Sequence, residues 1–233
     1  MRKQQNVWGI EHRTATQIPA MNETEPSSAV LDFMKWLKSK NIKTKNCTTI
    51  DIGCGKGRNA IYLAKKGLHV YAIDYIDYAL EILKYRALQN KVHSRITTIH
   101  ADIDKVWPFE NNYFDFAIDN FSSIDIETKS GRKIYKKELL RTLKPNGFAL
   151  VSVVSTQDEV ERKLMITKPG KERNSSLWPD TNKFQKNYDE EELRSFYKNF
   201  KILELKKIHK TATKMNKTYI VENFWLILQK TVQ

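Results

Sequence analysis

Three glycines in a short turn carry the most specific chemical signal in this sequence. Gly53, Gly55 and Gly57 follow an apolar run, and Asp51 stands two residues before the first of them. Glycine lets a backbone turn sharply and approach a ligand closely. A dinucleotide-binding turn would carry a glycine where Arg58 stands, and no phosphate-loop sequence of glycine, lysine and serine or threonine follows. A carboxylate at Asp51 would repel a pyrophosphate and attract an ammonium or sulfonium group, so the turn predicts a cationic cofactor.

Two more carboxylates stand where later strands should end. Asp74 closes the second strand-like run, in the position of a residue that accepts hydrogen bonds from a ribose. Asp102 closes the third run, where it could accept from an adenine amino group. A single aspartate of this kind could simply cap the next helix. Three of them beside the glycine turn favour a nucleoside-bearing cofactor.

These side chains need a sheet whose strand ends meet at one edge, and the hydrophobic pattern predicts one. Apolar runs alternate with amphipathic helical segments, which indicates an α/β fold with a doubly wound, mostly parallel sheet. Two late strands joined by a polar turn indicate an antiparallel edge. The predicted strands are 48–52, 69–73, 96–101, 113–118, 148–154, 201–208 and 219–228, and the predicted helices are 26–40, 58–66, 78–88, 131–142 and 190–200.

The chain of 233 residues is expected to form a single domain. Residues 1–28 are expected to act as an N-terminal lid and 48–154 as the cofactor-binding core. The polar segment 155–189 shows no sustained period and is interpreted as an insertion on the acceptor side. Residues 190–233 supply the last helix and the antiparallel edge strands.

Five segments, in order, resemble the motifs of the class I S-adenosylmethionine-dependent methyltransferases. They read DIGCGKG (51–57), YAID (71–74), ADI (101–103), WPFENNYFD (107–115) and LKPNGF (143–148). The resemblance implies a Rossmann-like sheet of seven strands with an antiparallel last strand. It also implies S-adenosyl-L-methionine as the cofactor and S-adenosyl-L-homocysteine as the product.

The same resemblance assigns roles to individual residues. The three glycines would line the methionine part of the cofactor, Asp51 would hold its ammonium group and Asp74 its ribose hydroxyls. Tyr75, Asp102 and Ile103 would surround the adenine. Asp119 would offer its backbone to the methionine part. The complete predicted set is Asp51, Gly53, Cys54, Gly55, Gly57, Asn59, Asp74, Tyr75, Asp102, Ile103, Asp119 and Asn120.

The acceptor is expected to be a small molecule. The run CGKGRNAIYLA (54–64) is similar to one in the small tellurite-resistance and thiopurine-type methyltransferases. The fourth-strand motif DNFS (119–122) lacks the D-P-P-Y or N-P-P-Y pattern of enzymes that methylate the amino groups of adenine or glutamine. Segment 155–189 is either an acceptor clamp or a surface loop whose tryptophan docks on the core. The predicted acceptor-side residues are Trp8, Arg13, Phe121, Arg173 and Trp178.

Charge and composition leave other functions open. The net charge of +13 raises nucleic acid as a partner, but the basic residues, mostly lysines, are spread along the chain. An RNA or protein methyltransferase and a non-catalytic cofactor-binding protein therefore stay as alternatives.

The histidines and two cysteines have no metal-ligand spacing, so no metal is expected. With no membrane-length apolar stretch or secretory signal pattern, we expect a cytoplasmic protein. The oligomeric state is not predicted.

Overall fold

A single seven-stranded sheet organises the computed structural model, which describes residues 3–214 and 216–231. The strand order is β3-β2-β1-β4-β5-β9-β8, and only β9 runs against the others. This arrangement confirms the predicted fold class, and β9 lies between β5 and the edge strand β8. The strands of the sheet are β1 Thr48–Ile52, β2 His69–Asp74, β3 Ile96–His100, β4 Phe114–Asn120, β5 Leu143–Val154, β8 Lys201–Lys214 and β9 Lys217–Gln229.

Helices cover both faces of the sheet, as parallel strands require. On one face α2, α3 and α4 bury residues such as Phe33, Leu63 and Leu83, and on the other α5 and α7 bury Tyr135 and Leu193. No helix within 3–214 and 216–231 is long and apolar enough to span a membrane. The helices are α1 Lys3–Thr14, α2 Ser28–Ser39, α3 Arg58–Lys65, α4 Asp77–Gln89, α5 Lys129–Thr142, α6 Glu159–Thr167 and α7 Glu190–Phe196.

The sequence pattern missed the structure of two segments. The predicted lid contains helix α1 and a 3₁₀ turn at Pro19–Asn22; its first two residues, Met1 and Arg2, lie outside the described ranges. The insertion 155–189 contains α6 and a separate hairpin of β6 Ser175–Leu177 and β7 Phe184–Lys186. The apolar period does not reveal either segment, because both bury polar side chains that form hydrogen bonds inside the protein. Glu161, for example, is fully buried and accepts a hydrogen bond from the Trp178 indole.

Candidate cofactor and acceptor site

A cleft of about 270 Å³ opens beyond the carboxyl ends of the first four strands. In doubly wound sheets this edge is where ligands bind, because the connecting loops diverge there. Its walls come from the loops that follow β1, β2, β3 and β4, and its outer side comes from α1 and the turn after it. The predicted cofactor residues and an N-terminal helix therefore share one cavity.

The glycine turn needs glycine at each of its three positions. Gly53, Gly55 and Gly57 have φ angles of +63°, +53° and +78°, in the left-handed region that other residues rarely adopt. A side chain at Gly57 would overlap Leu83 in the core. One at Gly55 would lie 3.0 Å from the Cε1 atom of His12. The turn thus leaves its backbone bare on the side that faces α1.

Asp74 ties this turn to the end of β2. Its Oδ2 accepts a hydrogen bond of 2.8 Å from the Gly55 amide, and its Oδ1 accepts one of 2.9 Å from the Ile76 amide. The side chain is buried but lines the cleft. Burial raises the pKa of Asp74, and the backbone amides oppose that rise. The carboxylate is therefore a structural link as well as a candidate ligand for ribose hydroxyls.

Asp51 is the group that most needs a ligand. It is 2% exposed, lines the cleft, and its Oδ2 has no hydrogen-bond partner within the described ranges. Burial, followed by the negative charge of Asp74, raises the pKa of Asp51 to about 7. A buried carboxylate oxygen without a partner is costly, and the ammonium group of S-adenosylmethionine would satisfy it. The bare glycine turn and this orphaned oxygen together fit that cofactor.

The loops after β2, β3 and β4 contribute the rest of the predicted cofactor wall. Tyr75, Asp102, Ile103 and Asn120 all line the cleft. Asn120 keeps a buried Oδ1 for which the described part of the chain offers no partner. These positions agree with an adenine and ribose pocket, and that role stays a prediction.

Asp119 differs from its neighbours, because it does not line the cleft. Its Oδ1 accepts from the amides of Ser122 and Ser123, and its Oδ2 accepts from the Tyr135 hydroxyl at 2.6 Å. Both oxygens are thus used inside the protein. We predicted that Asp119 would offer its backbone to the methionine part of the cofactor, and that role stays a prediction. Its side chain shapes the turn that presents Asn120 and Phe121.

Cys54 and Asn59 line the cleft and are largely buried. Burial raises the pKa of the Cys54 thiol well above its usual value, so the thiol stays protonated and suits packing better than nucleophilic attack. Asn59 Oδ1 accepts a 2.9 Å bond from the Ser27 amide. Asn59 thereby joins the glycine turn to the start of α2.

Helix α1 supplies three cleft residues, of which the sequence analysis selected only Trp8 as a site residue. Gln4, Trp8 and His12 line the cleft, and their spacing of four residues places them on one helix face. His12 is 6% exposed, and burial together with the Lys56 charge lowers its pKa to about 4. Its imidazole is therefore neutral at physiological pH. The fourfold spacing was the signal available in the sequence.

Of the five predicted acceptor-side residues, Trp8 and Phe121 line the cleft. Phe121 has a left-handed φ of +69°, which is unusual for an aromatic residue. Arg13 and Arg173 do not reach the cleft. The first stacks on the Tyr78 ring at 5.2 Å, and the second is 85% exposed. Both were predicted because their segments combine cations with aromatic residues, a pattern that does not determine which side chains face the cleft.

Trp178 is buried away from the cleft, yet the insertion contacts the cleft wall through Lys183. The Lys183 ammonium lies 4.1 Å from the Trp178 ring centroid and 5.0 Å from that of Trp8. It also lies 3.1 Å from a carboxylate oxygen of Asp125, which lines the cleft. The sequence reading missed Lys183 and Asp125, because their importance depends on which segments the fold brings together.

The described residues contain no group of three or more histidine, cysteine, aspartate or glutamate side chains that could hold a metal ion. His100 and His209 instead pair with Asp77 and Glu222 on the surface.

Comparisons with known proteins agree with this geometry. A family model described as a methyltransferase domain matches residues 50–147. The protein named "Probable S-adenosyl-L-methionine-dependent methyltransferase TehB" from Haemophilus influenzae (strain 10810) is 25% identical over 175 residues, covering 73% of this chain and 53% of that protein. The chain spans about half or less of the length of the curated relatives that it matches.

Solved structures share the fold over most of the chain. A SAM-dependent methyltransferase from Methanosarcina mazei superposes with a TM-score of 0.74 at 21% identity, covering 84% of this chain and 98% of that one. The 1,6-didemethyltoxoflavin-N1-methyltransferase of Burkholderia thailandensis, solved with 1,6-didemethyltoxoflavin and S-adenosylhomocysteine, gives 0.70 at 14% identity, covering 99% and 88%. Residues 50–147 thus match a methyltransferase domain, and the chain is similar in sequence to the TehB relative and in fold to these solved methyltransferases.

Proposed function

We propose that this protein transfers a methyl group from S-adenosylmethionine to a small-molecule acceptor. The observation that carries the proposal is the position of α1, whose residues Gln4, Trp8 and His12 line the cleft that begins at the glycine turn. A cleft covered in this way accepts a compact molecule more easily than a folded RNA or protein. The toxoflavin methyltransferase, which shares the fold over nearly the whole chain, is named for a small acceptor.

The chain's own residues would bind the cofactor and exclude water. Asp51 would hold the ammonium group and Asp74 the ribose hydroxyls, while the bare backbone at Gly55 admits the methionine part. S-adenosylmethionine supplies the methyl group on a sulfonium centre, so the protein has mainly to align donor and acceptor. Trp8 and Phe121 would contact the acceptor, and α1 would shield the reacting atoms from solvent.

The charge of the cleft disfavours the RNA alternative. Its lining includes seven carboxylate side chains and two cationic ones among the described residues, although the whole chain carries +13. Nucleic-acid binding depends mainly on cations that neutralise phosphates. A polyphosphate strand entering this cleft would meet charge of its own sign.

Two measurements test the proposal. Titration calorimetry should detect S-adenosylhomocysteine binding to the purified protein. A screen of small-molecule acceptors against S-adenosylmethionine should yield S-adenosylhomocysteine with at least one of them. Binding without turnover on any acceptor would support the non-catalytic alternative, and turnover confined to RNA or protein would refute the small-molecule assignment.

A further inference from the structure

The cleft can be divided into a part that would hold the cofactor and a part that would hold the acceptor. The chemistry of the second part favours one class of acceptor. The predicted cofactor residues lie on the loops after β1, β2 and β3 and at Asn120. The remaining wall comes from α1, the turn at 18–23 and the loop after β4. That remainder includes Gln4, Trp8, Phe121, Asp125 and Glu127.

The charges along the cleft are unevenly distributed. The two lining cations, Lys56 and Arg58, lie beside the turn at 18–23, where Lys56 donates to Asn22 and Arg58 pairs with Glu23. The other six lining carboxylates are Asp51, Asp74, Asp102, Asp104, Asp125 and Glu127. The Asp125 charge is offset by Lys183, whose ammonium lies 3.1 Å from a carboxylate oxygen of Asp125. Lys183 does not itself line the cleft.

Several of these carboxylates converge on one phenol. The pKa of Tyr75 is raised by burial and then by the negative charges of Asp125, Asp74, Asp102 and Glu127. These four acidic residues and Tyr75 all line the cleft, so their negative charges act on the same cavity. S-adenosylmethionine carries one net positive charge, so a negative excess remains after it binds.

A second observation, independent of the carboxylates, indicates a ligand that donates hydrogen bonds. Gln4 is 5% exposed and lines the cleft; its Nε2 donates to the Phe184 carbonyl, which leaves Oε1 as the acceptor. That Oε1 is buried without a partner in the part of the chain that the structure describes. The Oδ1 atom of Asn120 is likewise buried without a hydrogen-bond partner among the described residues. Both atoms can only accept.

We propose that the acceptor is a cationic, amine-bearing aromatic or planar molecule, held by Glu127 and the acidic loop after β4, with Gln4 accepting from its amino group. This inference rests on the proposed methyltransferase function and names its substrate class. Trp8 and Phe121 supply aromatic faces, which attract organic cations as well as planar rings. An acidic wall with orphaned acceptor atoms selects against carboxylate and phosphate ligands.

The test uses three probes that share a ring and differ in charge: 2-phenylethylamine, 2-phenylethanol and phenylacetate. Titration calorimetry measures the affinity of each for the full chain, with and without S-adenosylhomocysteine. We expect the amine to bind at least about tenfold more tightly than phenylacetate, with the alcohol between them. Added salt should reduce the advantage of the amine.

Variants locate the effect. Glu127→Gln should reduce the advantage of the amine by about threefold, and Glu127→Lys should favour phenylacetate, while affinity for S-adenosylhomocysteine stays unchanged. Glu127 is exposed, so neither change disturbs the core. Glu81→Gln, an exposed glutamate on α4 outside the cleft lining, is the matched control and should change nothing.

Equal affinities, tighter binding of phenylacetate, no binding of the amine at millimolar concentration, or an amine preference that survives Glu127→Lys would overturn the inference. Failure of S-adenosylhomocysteine to bind would instead overturn the proposed function, and the probe series without that ligand would still decide the charge preference.

Discussion

Two buried aspartates at the ends of neighbouring strands have different tasks. Asp74 has both oxygens engaged by backbone amides of the loops it joins, whereas Asp51 has an oxygen with no partner in the described residues. Asp74 thus joins two loops through hydrogen bonds, whereas Asp51 leaves a carboxylate oxygen unsatisfied. This contrast leads to opposite expectations for their replacement.

Asp74→Ala should weaken binding of S-adenosylhomocysteine by roughly 1.5 to 3 kcal/mol, the usual worth of charge-assisted hydrogen bonds. It should also lower the melting temperature, because the amides of Gly55 and Ile76 lose their acceptor. Calorimetry and thermal unfolding measure the two effects. Asp77→Ala, three residues further on and with a side chain that is 79% exposed, serves as control. Unchanged affinity in Asp74→Ala would refute its place in the cofactor site.

Asp51→Asn should stabilise the ligand-free protein at high pH. The pKa of Asp51 is about 7 in the folded chain and about 3.9 in an unfolded one, so folding takes up a proton between these values. Above pH 7 the buried carboxylate is ionised and costs stability. The amide removes that cost, on the order of 4 kcal/mol at pH 8, and the gain should nearly vanish at pH 4.

Thermal unfolding of Asp51→Asn and wild type at both pH values measures this difference. The same variant should bind S-adenosylmethionine more weakly, because the ammonium group loses its counter-charge. A stability gain of equal size at pH 4 and pH 8 would contradict the ionisation account.

At the scale of elements, α1 is the part of the molecule that turns an open strand edge into a covered cleft. Its packing against the glycine turn is close, since a side chain at Gly55 would lie 3.0 Å from His12. It also contacts the insertion, through the Lys183 ammonium over the Trp8 ring. Helix α1 therefore contacts both the glycine turn and the segment 155–189.

Trp8→Ala should lower turnover by about tenfold or more, because acceptor alignment is lost, while affinity for S-adenosylhomocysteine stays within about twofold. Arg173→Ala should leave both unchanged, since its side chain is 85% exposed and outside the cleft lining. Steady-state kinetics with an acceptor from the screen, and calorimetry, give the two readouts. If Arg173→Ala also abolished turnover, the insertion would contact the acceptor directly.

At the scale of the whole molecule, the sign of the charge differs between the outer surface and the cleft. The chain carries +13, but the cleft lining is acidic. The positive surface lies largely on exposed lysines such as Lys201, Lys206 and Lys207 of β8. Global charge is thus a poor guide to the ligand of this site.

Polyanions should bind this surface without entering the cleft. We expect heparin or unstructured RNA to associate with steep salt dependence, while the affinity of S-adenosylhomocysteine measured in their presence stays within about twofold. Calorimetric titration of the ligand into the protein saturated with heparin is the measurement. Competition between heparin and S-adenosylhomocysteine would instead support a nucleic-acid acceptor.

The sequence by itself determined the parts of the site that local backbone chemistry specifies. Gly53, Gly55 and Gly57 could be selected because a left-handed turn after a strand accepts little else. Asp51 and Asp74 could be selected because polar residues at the ends of apolar strands converge at one sheet edge. The sheet itself follows from alternating apolar runs, whose period is a local property.

Only the tertiary structure decided what covers that edge. Gln4, Lys183 and Glu127 are far apart in the chain, and their meeting beside the cleft depends on how α1 and the insertion pack, which no local period encodes. The tertiary structure also decided two side-chain partnerships inside the protein. Asp119 accepts a hydrogen bond from the Tyr135 hydroxyl, while Trp178 donates one to Glu161 and packs against the Lys183 ammonium. Burial and partner choice are long-range quantities, so the acceptor wall could be read only from the folded chain.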